Sequence, residues 1–329
     1  MRASPRTWRF PLEPHELFAL AYVIAGVIAL ERLPVSYPRR AIFLVYGTFA
    51  LAVGAVAALS VLVRRSWKRR WGRGAARLSL GAELATLLRA GAILIPLLSV
   101  HFLLKSFIHL FNPRVWDRQL AALDVRLHLG IDPAEFLTTL FAQKQFLRAL
   151  DLLYSGLYFS LLVVYVALLL TLLPARRRLA FTAAFALLWV LGSALYLALP
   201  SWGPVFVTPE TFAATLAHMP LTVSVQQILY GEISSLVSNP LAPRLIRYGC
   251  VAAFPSLHVA VFALFTFASR GVSRRLSLAT AGILVLMVLG SVITGYHYLV
   301  DAWAGIALAA LVWLLARWVY RDGLAVGAG

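Results

Sequence analysis

Long apolar blocks separated by short polar segments dominate the pattern of this chain. Eight blocks are each close to the roughly 20 residues that a helix needs to cross a bilayer. The pattern therefore predicts an all-α protein, a polytopic transmembrane helix bundle of about eight spans. The blocks cover residues 15–33, 41–63, 84–111, 152–173, 179–200, 251–269, 277–295 and 299–319.

Two of the polar segments are long enough to carry structure of their own. Residues 112–151 place charged residues among leucines, which predicts a helix that lies in the membrane interface. Residues 201–250 are rich in proline and have little periodicity, so we expect an outer loop there. Loops of that length are usually functional, and we expect substrate specificity to reside in these two segments.

Composition narrows the class of protein. Apolar residues make up 61% of the 329 residues and charged residues only 13%, whereas a soluble domain has about 25% charged residues. The net charge of +17 comes from short basic clusters between the apolar blocks, so we expect no nucleic acid as a partner. The single cysteine, Cys250, excludes an intrachain disulfide and a zinc site built from cysteines.

The basic clusters also predict the orientation of the chain in the membrane. Residues 64–77 form the strongest cluster, with two tryptophans among its arginines and lysines, as is typical of a cytoplasmic loop. With that loop inside, the N- and C-termini are cytoplasmic as well. The start of the block at 251–269 and the junction near residue 297 then face the extracytoplasmic side.

The first candidate for chemistry is the segment Phe254–His258. Pro255 suits the first position of a helix, and the free N–H groups of that first turn, with the helix dipole behind them, favour a bound phosphate. Ser256 adds a hydroxyl donor, and His258 can donate a proton. Taken alone, a Pro-Ser helix start beside a histidine is common and needs no function.

The second candidate is the pair His297 and Asp301, which follows Tyr296. The two residues are four apart, so a helix would place them on one face, where the carboxylate fixes the tautomer of the imidazole. A histidine nucleophile needs that arrangement, although an isolated pair is structural as often as functional. The predicted topology brings both candidates to the same membrane face, and their conjunction favours a site for phosphoryl transfer.

These two motifs, Phe254–His258 and His297-Tyr298-x-x-Asp301, resemble the type 2 phosphatidic acid phosphatase superfamily, especially its inositol phosphorylceramide synthase and sphingomyelin synthase branch. The likeness extends over about residues 105–315. It implies a six-helix core within a catalytic membrane domain at 84–322. Residues 1–83 are then two accessory spans and a basic cytoplasmic loop.

The resemblance also implies roles for single residues. His297 would attack phosphorus to form a phosphohistidine, Asp301 would orient it, and His258 would protonate the departing alkoxide. Pro255, Ser256 and Tyr296 would contact the substrate. The resemblance implies that no metal and no cofactor is required, because the histidines and the helix start stabilise the charge that develops on the phosphoryl group. The implied partners are a phospholipid, sphingolipid or polyprenyl-phosphate substrate and a polyol acceptor such as inositol, as in an inositolphosphotransferase-like reaction.

The chain departs from the superfamily's hydrolases in its basic residues. Those enzymes carry Lys-x6-Arg-Pro in their first motif and a later arginine, whereas Leu195–Pro204 has no basic residue and Ser291 holds the later position. Sphingolipid synthases also lack these groups, so the absence favours transfer over hydrolysis. Candidates for the missing cation are two groups of residues: the stripe His101, Lys105 and His109, and the pair Arg244 and Arg247.

Other interpretations remain open at this point. Lys105 can instead reach to the headgroups while its neighbouring histidines pack in the bundle. The same motifs also fit a lipid-phosphate or polyprenyl-(di)phosphate phosphatase. A transporter could use His258, His297 and Asp301 as a proton relay, and a metal site would need a further ligand that the pattern does not provide.

Overall fold

A computed structural model of the protein describes residues 12–33, 80–239 and 251–320, with four single positions between 51 and 58. Several predictions concern residues outside these ranges. They are the span at 41–63, the basic loop at 64–77, Arg244 and Arg247, and the two chain ends.

All regular secondary structure among the described residues is helical. Eleven helices have eight or more residues: α1 Pro14–Glu31, α2 Leu80–Ser106, α3 Asp117–Leu127, α4 Pro133–Leu140, α5 Lys144–Asp151, α6 Tyr158–Leu172, α7 Ala175–Ala198, α8 Pro220–Ser238, α9 Leu257–Ser269, α10 Arg274–Ile293 and α11 Leu299–Val319. Shorter helical turns are Ile108–Phe111, Pro204–Val207, Pro209–Phe212 and Ala213–Leu216, and Leu152–Gly156 is a π-helical turn.

Within the described ranges, five helices are long and apolar enough to cross a membrane. They are α1, the part of α2 from Leu87 to Ser106, α7, α10 and α11. A sixth span is formed if α5, the π-turn and α6 are taken together, with a bend of 60° between Lys144–Gly156 and Tyr158–Leu172. The prediction of an all-α, multi-pass membrane protein is confirmed.

Helix α9 is shorter than predicted and lies at the centre of the bundle. The apolar block at 251–269 predicts one span, but α9 has only 13 residues and begins at Leu257. Ser256 is its N-cap, so the preceding residues run outside the helix. Nearly every side chain of α9 is buried, because α7, α10 and α11 all pack against it. A helix that is apolar all round, as α9 is, is suited to such a central position.

The segment 112–151 contains three helices, α3 to α5, where the pattern predicts one interfacial helix. Leu123 and Leu127 are exposed on α3, as expected for a surface that meets lipid, whereas Asp117 and Asp124 on the same helix are buried. Arg118 and Arg126 on α3 are exposed. The charged residues of this helix are therefore divided into arginines that face outward and aspartates that face inward.

The inward aspartates cap helices elsewhere in the chain. Asp124 accepts hydrogen bonds from the backbone N–H groups of Leu299 (2.8 Å) and Val300 (2.9 Å), the first residues of α11. Asp151 accepts one from the N–H of Thr222 (2.8 Å) near the start of α8. Because the first N–H groups of a helix have no partner within it, each carboxylate stabilises a helix start that lies far away in sequence.

The prediction of a loop over residues 201–250 is wrong for much of that segment. Helix α8 occupies 19 of its residues and begins at Pro220, whose missing N–H is not needed at the first helical position. The cap of α8 comes from Asp151, which lies 71 residues before Thr222 in the sequence. A sequence window around α8 therefore contains the proline start but not the carboxylate.

Close helix packing holds the start of α9 against α11. A side chain at Gly305 would meet the carbonyl oxygen of Ser256, so only glycine allows the two helices this approach. The backbone N–H of Ser256 also donates to the carbonyl of Asp301 (3.0 Å). These contacts bring the segment before α9 next to the first turn of α11, which is where the two predicted motifs lie.

Candidate active site

His258 and His297 lie side by side in the wall of one cavity. Their ring centroids are 5.8 Å apart with an edge-to-face orientation. The cavity has a volume of about 280 Å³, and both histidines line it. His258 comes from the first turn of α9, and His297 from the turn between α10 and α11. The two motifs that the sequence separates by about 40 residues thus meet in space.

The hydrogen bonds of His297 determine which of its nitrogens can react. Nδ1 lies 2.8 Å from the carbonyl oxygen of Ala253. A carbonyl only accepts, so Nδ1 carries the proton and donates it. Nε2 is then the nitrogen with a lone pair, on a ring that lines the cavity. This tautomer is the one that an attack on phosphorus through Nε2 requires.

Asp301 lies farther from His297 than the carbonyl does. Its Oδ2 is 3.5 Å from His297 Nδ1 and accepts a shorter bond from the N–H of Tyr298 (2.9 Å). The predicted reason for the pairing, two residues on one helix face, is wrong, because α11 begins at Leu299 with Tyr298 as its N-cap. Asp301 is fully buried, and its other oxygen, Oδ1, makes no hydrogen bond to the described residues.

Pro255 and Ser256 lie behind the cavity wall. Pro255 precedes the N-cap and so is not the first helical residue, in contrast to the prediction. The Ser256 hydroxyl is fully buried and accepts from the N–H of Val259 at 3.5 Å. The wall at this turn is formed by Leu257 and His258. Pro255 and Ser256 therefore position His258, and a direct contact of either with substrate stays a prediction.

The predicted stripe His101, Lys105 and His109 is interrupted. Helix α2 ends at Ser106, so His101 and Lys105 line the cavity while His109 lies on the next helical turn, stacked on the ring of Trp202 at 3.6 Å. Burial lowers the pKa of His109 to about 4. His109 is consequently neutral near pH 7 in this position, and a role for it in substrate binding stays a prediction.

His101 is held by a short chain of hydroxyl groups. Its Nδ1 is 2.7 Å from the hydroxyl of Ser193, which itself donates to the carbonyl of Trp189 (2.8 Å). The Ser193 proton is thereby used, so His101 Nδ1 is the donor in their bond. Tyr22 of α1 bonds to the same Ser193 oxygen at 2.7 Å. A residue of the first span thus supports the cavity wall.

Sequence reasoning missed the tyrosines around His258. The ring of Tyr158 is 4.3 Å from the His258 ring and that of Tyr154 is 5.3 Å from it. Both tyrosines line the cavity, as do Tyr196 and the predicted Tyr296. A tyrosine within an apolar block is ordinarily interpreted as part of the core, so the pattern carries no signal for these residues.

Much of the rest of the cavity wall is apolar. Helix α8 contributes Val225 and Leu229, while Phe102 and Phe159 come from α2 and α6. In the ranges that the structure describes, no group of three or more His, Cys, Asp or Glu side chains is arranged to hold a metal ion. The cavity therefore combines three imidazoles, one ammonium group and several phenols in a largely apolar wall, and the Asp301 carboxylate is buried next to His297.

The comparison with protein families agrees with this geometry. The family model of the PAP2 superfamily matches residues 118–315, which is more than half of the chain and includes His258, His297 and Asp301. The chain belongs to the PAP2 superfamily. It is accordingly a membrane enzyme that acts on phosphorylated lipid substrates, of the phosphatase or phosphotransferase type. The searches of curated proteins and of solved structures found no match.

The PAP2 match is to the superfamily as a whole, and it begins within α3. Helices α1 and α2 precede it, so His101 and Lys105 line the cavity from outside the matched region. The predicted resemblance began near residue 105 and agrees with the match at its C-terminal end. Membership in this enzyme superfamily also argues against the alternative of a proton-relay transporter.

Proposed function

We propose that this PAP2 enzyme is a lipid phosphotransferase that works through a phosphohistidine at His297. The observation that carries the proposal is the bond from His297 Nδ1 to the Ala253 carbonyl, since it leaves the lone pair on Nε2 of a ring that lines the cavity. The reaction moves a phosphoryl or phospho-alcohol group from a lipid donor to an alcohol acceptor.

In the first half-reaction, Nε2 of His297 attacks phosphorus. A bond forms between Nε2 and phosphorus, and the bond from phosphorus to the leaving oxygen breaks. Protonated His258 gives its proton to that oxygen. The ring of His297 becomes positively charged, and the buried carboxylate of Asp301, 3.5 Å from Nδ1, balances this charge.

In the second half-reaction, neutral His258 removes the proton of an incoming hydroxyl group. The oxygen attacks phosphorus, the bond to Nε2 breaks, and His297 returns to its neutral form. An alcohol at this step gives transfer, and water gives hydrolysis. The absence of basic residues in Leu195–Pro204, a feature shared with the sphingolipid synthases, favours an alcohol. The largely apolar and aromatic lining of the cavity favours it as well, because such walls hold water poorly.

Within the superfamily, we place the chain nearest to the inositol phosphorylceramide synthase and sphingomyelin synthase type. The donor is then a phospholipid or sphingolipid, and the acceptor a polyol such as inositol. Lys105 lines the cavity, with its ammonium 5.7 Å from the centre of the Tyr196 ring. We assign Lys105 to the phosphoryl oxygens. The basic clusters of the sequence favour an extracytoplasmic position for the cavity.

Product analysis tests this proposal. Purified protein in lipid nanodiscs is incubated with phospholipids, ceramide or polyprenyl phosphates, with and without alcohols such as inositol, and products are identified by mass spectrometry. A new phosphodiester that depends on the alcohol and is absent with His297→Ala supports transfer. Release of inorganic phosphate alone would replace the proposal with a phosphatase. A lack of any product across the panel would contradict both.

A further inference from the structure

Tyr154 has a feature that packing does not explain. Its side chain is only 3% exposed and lines the cavity, yet its hydroxyl makes no hydrogen bond to the described residues. Buried tyrosine hydroxyls usually have a partner, and a buried polar group without one destabilises the fold. A group kept at such a cost, in the wall of the catalytic cavity, points to a partner that arrives with the substrate.

Residues on both sides of Tyr154 in the sequence hold it in position. It lies in the π-turn Leu152–Gly156, a local geometry that occurs frequently at functional sites. On one side, Asp151 caps α8, and on the other the Ser155 hydroxyl bonds to Thr222 at 2.7 Å. The span bends by 60° at this turn, and three residues of the turn, Tyr154, Ser155 and Gly156, line the cavity.

Two further contacts fix the ring itself. A Cβ at Gly290 would lie 2.6 Å from Cδ2 of Tyr154, so the absence of a side chain on α10 makes room for the ring. The ring stacks on Tyr296 at 6.1 Å and lies 5.3 Å from His258. The phenol ring is therefore preorganised beside His258, one of the two histidines of the proposed mechanism, as a group that acts in the transition state must be.

We infer that the Tyr154 hydroxyl donates a hydrogen bond to a non-bridging oxygen of the phosphoryl group held between His258 and His297. This inference rests on the proposed function. Phosphoryl transfer depends on donors that match the charge on these oxygens, and Leu195–Pro204 lacks the basic residues that hydrolases place there. A phenol supplies a donor without adding a second charge to a mostly apolar cavity.

Tyr165 provides the matched comparison. It is also a buried tyrosine of the same bent span, but its hydroxyl meets that of Thr280 at 3.4 Å, and its ring packs on Phe265 away from the cavity. Its hydroxyl therefore has a partner within the protein. The contrast between Tyr154 and Tyr165 separates a ligand-binding role from a role in packing.

The first test compares Tyr154→Phe with Tyr165→Phe. We expect Tyr154→Phe to lower kcat by about 10²-fold, as loss of one preorganised donor does, while Tm stays unchanged or rises because an unpaired buried hydroxyl is removed. Tyr165→Phe should keep its activity. Parental kcat in Tyr154→Phe would overturn the inference, and so would an activity loss that follows a fall in Tm.

The second test does not depend on turnover. Orthovanadate, a mimic of the transferring phosphoryl group, is added to the purified protein and its effect on Tm is measured. We expect stabilisation of the parent and a smaller shift in Tyr154→Phe. Equal shifts in both proteins, or no shift in the parent, would overturn the role of Tyr154. If His297→Ala abolishes product formation while Tyr154→Phe does not, the inference fails and the proposed function stands.

Discussion

At the scale of single residues, His297 owes its reactive form to two neighbours of different kinds. The Ala253 carbonyl, at 2.8 Å from Nδ1, selects the tautomer, and the Asp301 carboxylate, at 3.5 Å, supplies negative charge. The sequence predicts only the second of these, since a backbone carbonyl 44 residues away leaves no mark in a motif. Orientation and charge compensation are therefore separable in this site.

Replacement of either histidine should abolish turnover. His297→Ala removes the proposed nucleophile, and His258→Ala removes the group proposed to protonate the leaving oxygen. We therefore expect product formation to fall by at least about 10³-fold. Thermal unfolding in detergent should show a folded protein in both cases. His218→Ala, at a histidine that does not line the cavity, is the control and should keep its activity. Residual activity near the parental level in either variant would contradict the mechanism.

Asp301→Asn should have a milder effect than loss of His297. The amide oxygen still accepts from the Tyr298 N–H, and the Ala253 carbonyl still holds the tautomer of His297. Only the negative charge is lost, so we expect kcat to fall by about 10²-fold. Steady-state kinetics on Asp301→Asn and His297→Ala, side by side, make the comparison. Equal losses would mean that Asp301 itself selects the tautomer.

At the scale of helices, the segment 112–151 stabilises the elements that carry the site. Asp124 holds the first two N–H groups of α11, directly after His297, and Asp117 accepts from the N–H of Gly203 at 2.8 Å. Gly203 has a positive φ of 91°, and a side chain there would meet the carbonyl oxygen of Tyr296. The buried aspartates thus tie the outer helices to the turn that presents His297.

Removal of the Asp124 carboxylate should lower stability and activity together. Asp124→Ala leaves two buried N–H groups at the start of α11 unpaired, which we expect to cost about 2–3 kcal/mol. Asp132 caps its own helix, α4, so Asp132→Ala should cost only about 1 kcal/mol and leave turnover intact. Denaturation in detergent and kcat measure both effects. Similar behaviour of the two variants would contradict this role for Asp124.

Helix prediction from the sequence succeeded where the apolar pattern was uninterrupted. The spans predicted at 277–295 and 299–319 correspond to Arg274–Ile293 and Leu299–Val319. It failed for α8, and it misplaced the start of α9. In both places the outcome depends on a cap or a packing contact, and for α8 the carboxylate of Asp151 lies 71 residues away from Thr222.

At the scale of the whole molecule, helices outside the PAP2 match complete the cavity. α2 supplies His101 and Lys105, and α1 reaches His101 through Tyr22 and Ser193. α1 also packs against α2 and α7. The predicted division into accessory spans and a catalytic domain therefore does not imply that the accessory part is separate from the site.

The orientation in the membrane can be tested with one exposed cysteine at each end of the bundle. Leu129 is 93% exposed and follows α3, whose Asp124 contacts the start of α11, so it lies at the end that holds the site. Arg275, exposed on the first turn of α10, lies at the other end. In a Cys250→Ser background, a membrane-impermeant maleimide should label Leu129→Cys in intact cells but not Arg275→Cys. The reverse pattern would overturn the proposed topology.

The sequence by itself determined the class of the protein and predicted its candidate reactive side chains. Helices surrounded by lipid require apolar blocks of membrane length. The candidate reactive groups are the few ionisable residues at the ends of these blocks. Only the tertiary structure decided how these groups are used. The carbonyl of Ala253 on His297, the capping carboxylate of Asp124 and the unpaired hydroxyl of Tyr154 all depend on contacts between distant segments. Such contacts decide which polar groups of a buried site have a hydrogen-bond partner. A local sequence pattern contains no information about them.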